Sequence, residues 1–258
     1  MTVFKHKKYL GQNFLKNKSV LNKICCINDL KNQIVIEIGP GKGYLTKKIL
    51  EKKPRKIYLI EKDHSLKPYL LKIIQEDPKR FEIFFDDALK IDLRSFSDQK
   101  FFLVSNLPYN IASTLIVKWL KNIKIFKSLV VMVQKEVAER FVAKAGTKLY
   151  GRISVLVQAF SHVKKKLDVD PEHFFPKPKI KSSVIEITPK QKISIDYEKL
   201  NRTLKIAFIH RRKTLKNNFK KVDFDIEKFL IKNQLSLNTR PQEVSKDNYV
   251  KLSIELFR

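Results

Sequence analysis

Glycine, cysteine and acidic side chains are what this chain has little of. Only six glycines occur in 258 residues, and three of them fall within Gly39–Gly43. Glycine concentrated in so short a span marks a turn whose torsions other residues rarely adopt. The only two cysteines, Cys25 and Cys26, are adjacent, which is poor geometry for a bridge. With no CxxC pair and no zinc spacing, a reduced, cytoplasmic compartment is expected. The histidines (His6, His64, His162, His173 and His210) form no metal motif, so no metal is expected. No stretch approaches the roughly 20 apolar residues of a membrane span, so no membrane contact is expected either. Basic Met1–Asn13 lacks the apolar run of a secretory signal and reads as an arm that docks on nucleic acid.

Acid is the most telling shortage. Lys and Arg number 54 against 26 Asp and Glu, a net charge of +28. An AT-rich coding sequence would raise Lys, Ile and Asn together, yet it does not explain why acids fail to keep pace. Such an imbalance points to a polyanion, and nucleic acid is the usual one. Hydrophobic residues still make up 43% and eighteen Phe are present, enough for a real core.

Short apolar runs alternate with helical patterns through the first two-thirds of the chain. Strands are expected at 34–38, 57–60, 81–85, 101–104 and 128–133, with 153–159 and 183–187 completing the sheet. Helices are expected over 18–28, 44–53, 65–75, 113–121 and 135–145. The cysteines then read as thiols of a helix core. This alternation predicts an α/β fold with a doubly wound, mostly parallel sheet, whose sites lie at the carboxyl ends of strands. Beyond residue 190 the pattern is helical, which divides the chain into 1–190 and a small helical domain, 191–258.

The glycine segment follows the first strand. Gly39 and Gly41 permit close approach of a nucleotide-bearing ligand, and Glu61, 20 residues after Gly41, ends the next strand where a carboxylate can accept both ribose hydroxyls. A dinucleotide oxidoreductase competes for this pattern. The spacing is G-x-G-x-G rather than G-x-G-x-x-G, however, and Glu37 precedes the first glycine by two. A carboxylate there is awkward for a pyrophosphate and suits the cationic methionyl amine of S-adenosylmethionine. Asp87, or the amide beside it, then stands where the adenine amine can be met. Three capping carboxylates would explain each residue singly but not the series.

Asn106-Leu107-Pro108-Tyr109 ends the fourth strand. An exocyclic nucleobase amine is a poor nucleophile, because its lone pair is delocalised into the ring. The Asn106 oxygen and a carbonyl at Leu107 or Pro108 can hold its two N–H groups, while Tyr109 offers a stacking face. Pro108 fixes its own torsion and removes a donor, so the turn presents carbonyls. Two further segments suit RNA. Phe174-Phe175-Pro176-Lys177-Pro178-Lys179 displays an aromatic beside Lys177 and Lys179 on a proline-stiffened loop. Lys205–Lys221 carries Arg211, Arg212 and Lys213 on a helical pattern suited to phosphates, whereas Lys164-Lys165-Lys166 reads as a solvated cluster.

The segments Gly11-Gln12-Asn13-Phe14-Leu15, Glu37-Ile38-Gly39-Pro40-Gly41, Asn106-Leu107-Pro108-Tyr109-Asn110 and Gln134-Lys135-Glu136-Val137 occur in order. Tyr150-Gly151-Arg152-Ile153-Ser154-Val155, the Phe174–Lys179 loop and Arg211-Arg212-Lys213-Thr214-Leu215 follow. Together they resemble the bacterial small-subunit ribosomal RNA adenine dimethyltransferases, whose loss gives kasugamycin resistance. The resemblance implies a Rossmann-like class I S-adenosylmethionine-dependent methyltransferase with a small all-α C-terminal domain. It implies dimethylation of two adjacent adenines in the 3′-terminal hairpin loop of 16S rRNA, within a late pre-30S particle. Carried over by motif, Asn13, Leu15, Gly39, Glu61, Asp87 and Asn106 would contact the cofactor, Asn106 to Tyr109 would hold the base, and Phe174 would be a second stacking face. His210 stands where the family usually has Gln, which implies an altered contact. A related methylase acting on 23S rRNA is the rival enzyme, and a non-catalytic rRNA-binding assembly factor the rival of another kind. Nothing calls for an obligate partner, so a monomer is expected.

Overall fold

A computed structural model describes Lys7 and residues 11–258. Most of the basic arm read at Met1–Asn13 therefore lies outside the described residues. The chain opens with β1 (Phe14–Leu15) and α1 (Lys18–Cys25), the helix capped by Asn17, whose side chain accepts the Val20 amide. β2 (Ile34–Ile38), α2 (Tyr44–Glu51), β3 (Lys56–Glu61), α3 (Lys67–Ile74) and β4 (Phe81–Phe85) follow. Next come β5 (Phe101–Asn106), α4 (Ala112–Leu120), β6 (Phe126–Gln134), α5 (Lys135–Val142), α6 (Arg152–Phe160) and β7 (Ser161–Val169). β8 (Phe174–Phe175), β9 (Ser182–Pro189), α7 (Tyr197–Ala207), α8 (Leu215–Phe219), α9 (Ile226–Lys232) and α10 (Lys246–Leu256) complete the chain.

The chain forms two compact units. The first runs to Ala138 and resumes from Lys164 to Pro189; the second comprises Glu139–Val163 and Lys190–Arg258. That 139–163 belongs with the C-terminal helices is not legible in the sequence.

In the first unit the sheet order is β4-β3-β2-β5-β6-β9-β7. β3 and β5 both run parallel to β2, β4 parallel to β3, and β6 parallel to β5, while β9 joins β6 antiparallel. This is the expected doubly wound, mostly parallel sheet. Its strand order reverses between β2 and β5, where a crevice opens beyond the strand ends. Every residue of β2 is buried, as a central parallel strand covered on both faces requires. Val35, Ile57 and Leu59 pack with Leu21, Ile24, Leu45, Ile49, Leu70 and Ile73 of α1, α2 and α3. Burying a side chain such as Ile49 or Leu59 completely contributes about 1.5–3 kcal/mol. Elsewhere in the same unit the Phe126 ring meets Phe101 edge-on and lies 6.0 Å from Trp119 of α4.

Three expectations are corrected. Residues 153–159 are not a strand but part of α6. Val155, Leu156, Val157, Ala159 and Phe160 are all buried, so the helix has no polar stripe to reveal its period. Glycine at its start and the Ser154 hydroxyl, which accepts the Gly151 amide and donates to the Arg140 carbonyl, fix where it begins. The strand is instead β7, which contains the cluster Lys164-Lys165-Lys166. These lysines are exposed at the sheet's edge, where charge discourages pairing with another chain.

The helical pattern over 205–221 is likewise interrupted, because α7 stops at Ala207 and α8 starts only at Leu215. Arg211, Arg212 and Lys213 occupy the turn between them. Thr214 caps α8, and Asn218 ties the turn by donating to the carbonyls of Ala207 and His210. Finally, Cys25 is buried but Cys26 is exposed, its sulfur 3.2 Å from the Lys52 ammonium. Neighbouring helix positions diverge by about 100°, so adjacent cysteines cannot share one face.

Candidate active site

The crevice is a cleft of about 1190 Å³, part of it open to solvent, built from the ends of β2, β3, β4 and β5 and the segment before β1. It brings together every residue assigned from the sequence to cofactor or target amine except Phe174. Asn13, Leu15, Glu37, Gly39, Gly41, Glu61, Asp87, Asn106, Leu107, Pro108 and Tyr109 all line it.

The glycine turn is bent as its composition demands. Gly39 and Gly41 have φ of +64° and +60°, and the Gly39 amide donates to the Ile60 carbonyl at 2.8 Å. A Cβ on Gly41 would lie 2.5 Å from a Phe14 ring carbon. Phe14 thus covers the turn, a role the sequence does not disclose although the residue lies inside a recognised motif.

Glu61 closes the turn from the neighbouring strand. Its two oxygens accept the amides of Gly41 at 3.0 Å and Asp63 at 2.8 Å, leaving further lone pairs for a diol. Burial raises its pKa, and those amide bonds only partly oppose the shift. Glu37, 1% exposed, accepts the Thr46 hydroxyl at 2.7 Å. Desolvation pushes its carboxyl up to about 8, with the nearby Glu61 adding to the effect and the Thr46 bond opposing it. At neutral pH an uncomplexed Glu37 is therefore largely protonated, and a cation entering the cleft would favour its charged form. Asp87 accepts the Leu89 amide at 2.9 Å and the Lys62 ammonium at 2.8 Å, and these bonds lower its pKa.

At the end of β5 the Asn106 amide nitrogen donates to the Asn13 carbonyl at 2.8 Å. That bond fixes which way the amide points, since only its nitrogen can donate. The Asn106 oxygen is left buried with no partner among the described residues. An orphaned buried acceptor lining a cleft is costly unless something else pairs with it. The Pro108 carbonyl accepts the amides of Ile111 and Ala112 at 3.1 and 3.0 Å, so it serves the first turn of α4. Of the two carbonyls considered from the sequence, Leu107's is the one left for a ligand. Tyr109 shares a hydrogen bond between its hydroxyl and Ser182 of β9, which anchors the ring at its far end.

The loop after β8 departs from expectation. Phe174 is 5% exposed, pairs with Leu15 across β1 and β8, belongs to the hydrophobic core and does not line the cleft. A two-residue strand turns alternate side chains to opposite sides, so Phe175, 50% exposed, is the ring on display. The Lys16 ammonium lies 4.2 Å from its centroid. Lys177 and Lys179 are exposed, Lys177 paired with Glu172 at 2.7 Å. In the second unit Arg211 donates to the carbonyls of Lys148 and Tyr150 at 3.0 and 2.6 Å, while Arg212 and Lys213 are exposed. Arg211 thus holds a loop as well as carrying charge.

Sequence reasoning also missed how residues before β1 are tied to Asp63. Lys7 and Gln12 both donate to Asp63, and Asn13 to the Gly11 carbonyl. Burial alone would raise the Asp63 pKa, but bonds from Lys7, Ser65 and Gln12 outweigh it and hold the carboxyl at about 2. Among the described residues no group of His, Cys, Asp or Glu is placed to hold a metal, and no helix is long and apolar enough to cross a membrane.

Comparison with known proteins agrees with this geometry. The family model described as ribosomal RNA adenine dimethylase matches residues 3–257. The chain is 44% identical over 253 residues to the ribosomal RNA small subunit methyltransferase A of Pelagibacter ubique, covering 96% of this chain and 95% of that one. It is 39% identical over 254 residues to the protein of that name from a Wolbachia of Drosophila simulans, covering 97% and 93%. Among solved structures it resembles a dimethyladenosine transferase from Plasmodium falciparum, with a TM-score of 0.79 and 28% identity over 93% of this chain and 95% of that one. The 23S rRNA methyltransferase ErmE aligns with a TM-score of 0.74 over 95% of this chain and all of that one. At 19% identity the ErmE likeness shows the fold alone. These likenesses bear out the Rossmann-like class I methyltransferase fold.

Proposed function

The chain belongs to the ribosomal RNA adenine dimethylase family, and from that premise we propose that it dimethylates the N6 amines of two adjacent adenines in the 3′-terminal hairpin loop of 16S rRNA. S-adenosylmethionine is the methyl donor, and the substrate is a late pre-30S particle in the cytoplasm. The observation that carries this reading is the buried Asn106 oxygen, unpartnered among the described residues, at a cleft that Leu107 also lines. That oxygen and the Leu107 carbonyl together would supply two acceptors, which suits an amine with two N–H groups. Held there, the nitrogen's lone pair is turned away from ring conjugation and towards the cleft. No strong base is required, because the proton leaves after the nitrogen has been alkylated.

The residues present fit the cofactor. Glu61 has lone pairs for the ribose hydroxyls, Glu37 offers a carboxylate to the methionyl ammonium, and Asp87 or its neighbouring amides meet the adenine edge. Asn13, Leu15, Gly39 and Gly41 supply backbone that a ligand can approach. When bound, S-adenosylmethionine supplies an electrophilic methyl on a sulfonium, transferred by in-line displacement. The protein's contribution is chiefly positioning and exclusion of water, for which effective molarities of about 10⁵ M or more are attainable. Tyr109 stacks on the splayed base, its hydroxyl tethered by Ser182 so that the ring stays at the cleft. Phe174, buried against Leu15, supports this site from the core, and Phe175 is the aromatic that meets RNA on the outer side of the loop.

The helical segment 191–258 contacts the subunit, with Arg212 and Lys213 facing phosphates and Arg211 serving both phosphate and its own loop. Lys177 and Lys179 extend the basic surface of the first unit. The protein acts as a monomer and without a metal. Incubation of the pure protein with methyl-labelled cofactor and unmethylated small subunits tests the proposal. Label is expected in the 3′-terminal hairpin of 16S rRNA as dimethyladenine. Label in naked 23S rRNA in preference to subunits, or none in either, overturns it.

A further inference from the structure

Lys118, on the second turn of α4, is partly buried and makes hydrogen bonds unlike those of any lysine singled out from the sequence. Its ammonium donates to three main-chain carbonyls of the loop after β4: Leu89 at 2.7 Å, Ile91 at 2.7 Å and Ala88 at 3.4 Å. An ammonium has three donors, and here they converge on carbonyls of a single short loop. Bonds from a charged donor in a partly buried setting are the stronger kind. The loop is the one that carries Asp87, and Asp87, Ala88 and Leu89 all line the cleft.

Peptide geometry connects the lysine to the carboxylate. Within one trans peptide the C=O and N–H point in opposite directions. Drawing the Ala88 carbonyl towards Lys118 therefore sends the Leu89 N–H the other way, and that N–H donates to Asp87 Oδ1 at 2.9 Å. The Asp87 carbonyl in turn accepts the Lys90 amide at 2.8 Å, closing the turn. The loop is thus held from the cleft side by Asp87 and from the α4 side by Lys118. α4 itself starts from the Pro108 carbonyl at the end of the target-amine loop. One side chain fastens the adenine edge of the cofactor site to the helix that follows the amine site.

We propose that Lys118 is a positioning residue for recognition of the cofactor's adenine, holding the Ala88–Ile91 carbonyls so that Asp87 faces the adenine 6-amine. This rests on the S-adenosylmethionine reading of the cleft. It goes beyond that reading by assigning base selectivity to a side chain that does not line the cleft. Lysine suits the task where an apolar side chain would not: Met in its place fills similar volume but leaves three carbonyls without their donor.

The test compares binding of S-adenosylhomocysteine and S-inosylhomocysteine to the full chain by calorimetry. The inosyl compound has a carbonyl where adenine has its amine, so a carboxylate acceptor discriminates against it. The wild type is expected to prefer the adenosyl compound about tenfold or more, because a site built to accept an N–H rejects the analogue that lacks it. Lys118→Met is expected to shrink that preference about fivefold or more, with kcat at saturating S-adenosylmethionine within about twofold of wild type. Lys118→Arg, which keeps charge and donors, restores most of the preference. If the Met variant does not fold, Lys118→Gln is read the same way, since it removes the charge and, shorter and with two donors, cannot hold all three carbonyls. A Met or Gln variant with wild-type preference overturns the inference while leaving the cofactor reading intact. A wild type that binds neither compound overturns the cofactor reading itself.

Discussion

Replacing Glu37 with Gln should make the protein's stability much less dependent on pH. The carboxyl is 1% exposed and its pKa rises from 4.5 to about 8 on folding, chiefly through desolvation. A group whose pKa is raised on folding contributes stability that is fully present below its unfolded pKa and lost as pH rises through its folded one. For Glu37 the window runs from 4.5 to about 8. Integrating the linkage between these values at about 1.36 kcal/mol per unit, wild type loses about 4 kcal/mol from this group between about pH 5 and about pH 9. Gln is nearly isosteric, cannot ionise, and can still accept the Thr46 hydroxyl. Urea unfolding of both proteins at about pH 5 and about pH 9 reads the difference directly. The variant is expected to be close to wild type at the lower pH and several kcal/mol more stable, relative to it, at the higher one. Equal pH slopes for the two proteins would refute the reasoning, because they would mean that Glu37 is ionised and solvated in the folded state. The same substitution removes the partner proposed for the methionyl ammonium, so cofactor affinity should fall while stability rises.

Asn106→Ala should lower kcat about a hundredfold or more, by analogy with removal of one polar group aimed at a reacting centre, while subunit binding measured by sedimentation is largely retained. A variant that lost subunit binding but kept activity per bound complex would contradict the acceptor role. Tyr109→Ala should weaken engagement of the target base by about 1–3 kcal/mol, the worth of one stacked ring, whereas Tyr109→Phe, which loses only the bond to Ser182, should cost less; subunit KM and kcat separate the two. Gly41→Ala places a Cβ 2.5 Å from the Phe14 ring at a left-handed torsion, so cofactor binding by calorimetry should be lost well before the fold is. Neutralising Arg212 and Lys213 should each reduce the salt slope of subunit binding by up to about 0.9. Arg211→Ala should also destabilise the second unit by about 1 kcal/mol in thermal unfolding, because the Lys148 and Tyr150 carbonyls lose a donor.

How far the sequence discloses this molecule depends on which interactions leave a local trace. The glycine turn did, because left-handed torsions at Gly39 and Gly41 demand a particular residue type. So did the strand ends: Glu61, Asp87 and Asn106 are polar residues terminating apolar runs, and parallel topology gathers such ends into one crevice. Helix α6 left a misleading trace, because burial on all sides erases the 3.6-residue period and leaves a run of apolar residues that also suits a strand. β7 left the opposite one, since an edge strand carrying three lysines looks like a solvated loop. Phe174 and Phe175 show the limit of composition, which says that an aromatic is displayed but not which of two neighbours. That choice falls to the pairing of Leu15 with Phe174, a contact between segments about 160 residues apart. Lys118 leaves no trace at all. Its partners are carbonyls, which every residue possesses, so neither its own identity nor that of Ala88, Leu89 and Ile91 announces the bond. Residues that act by touching ligand tend to be chemically distinctive and legible; those that act by holding backbone are visible only once the chain is folded.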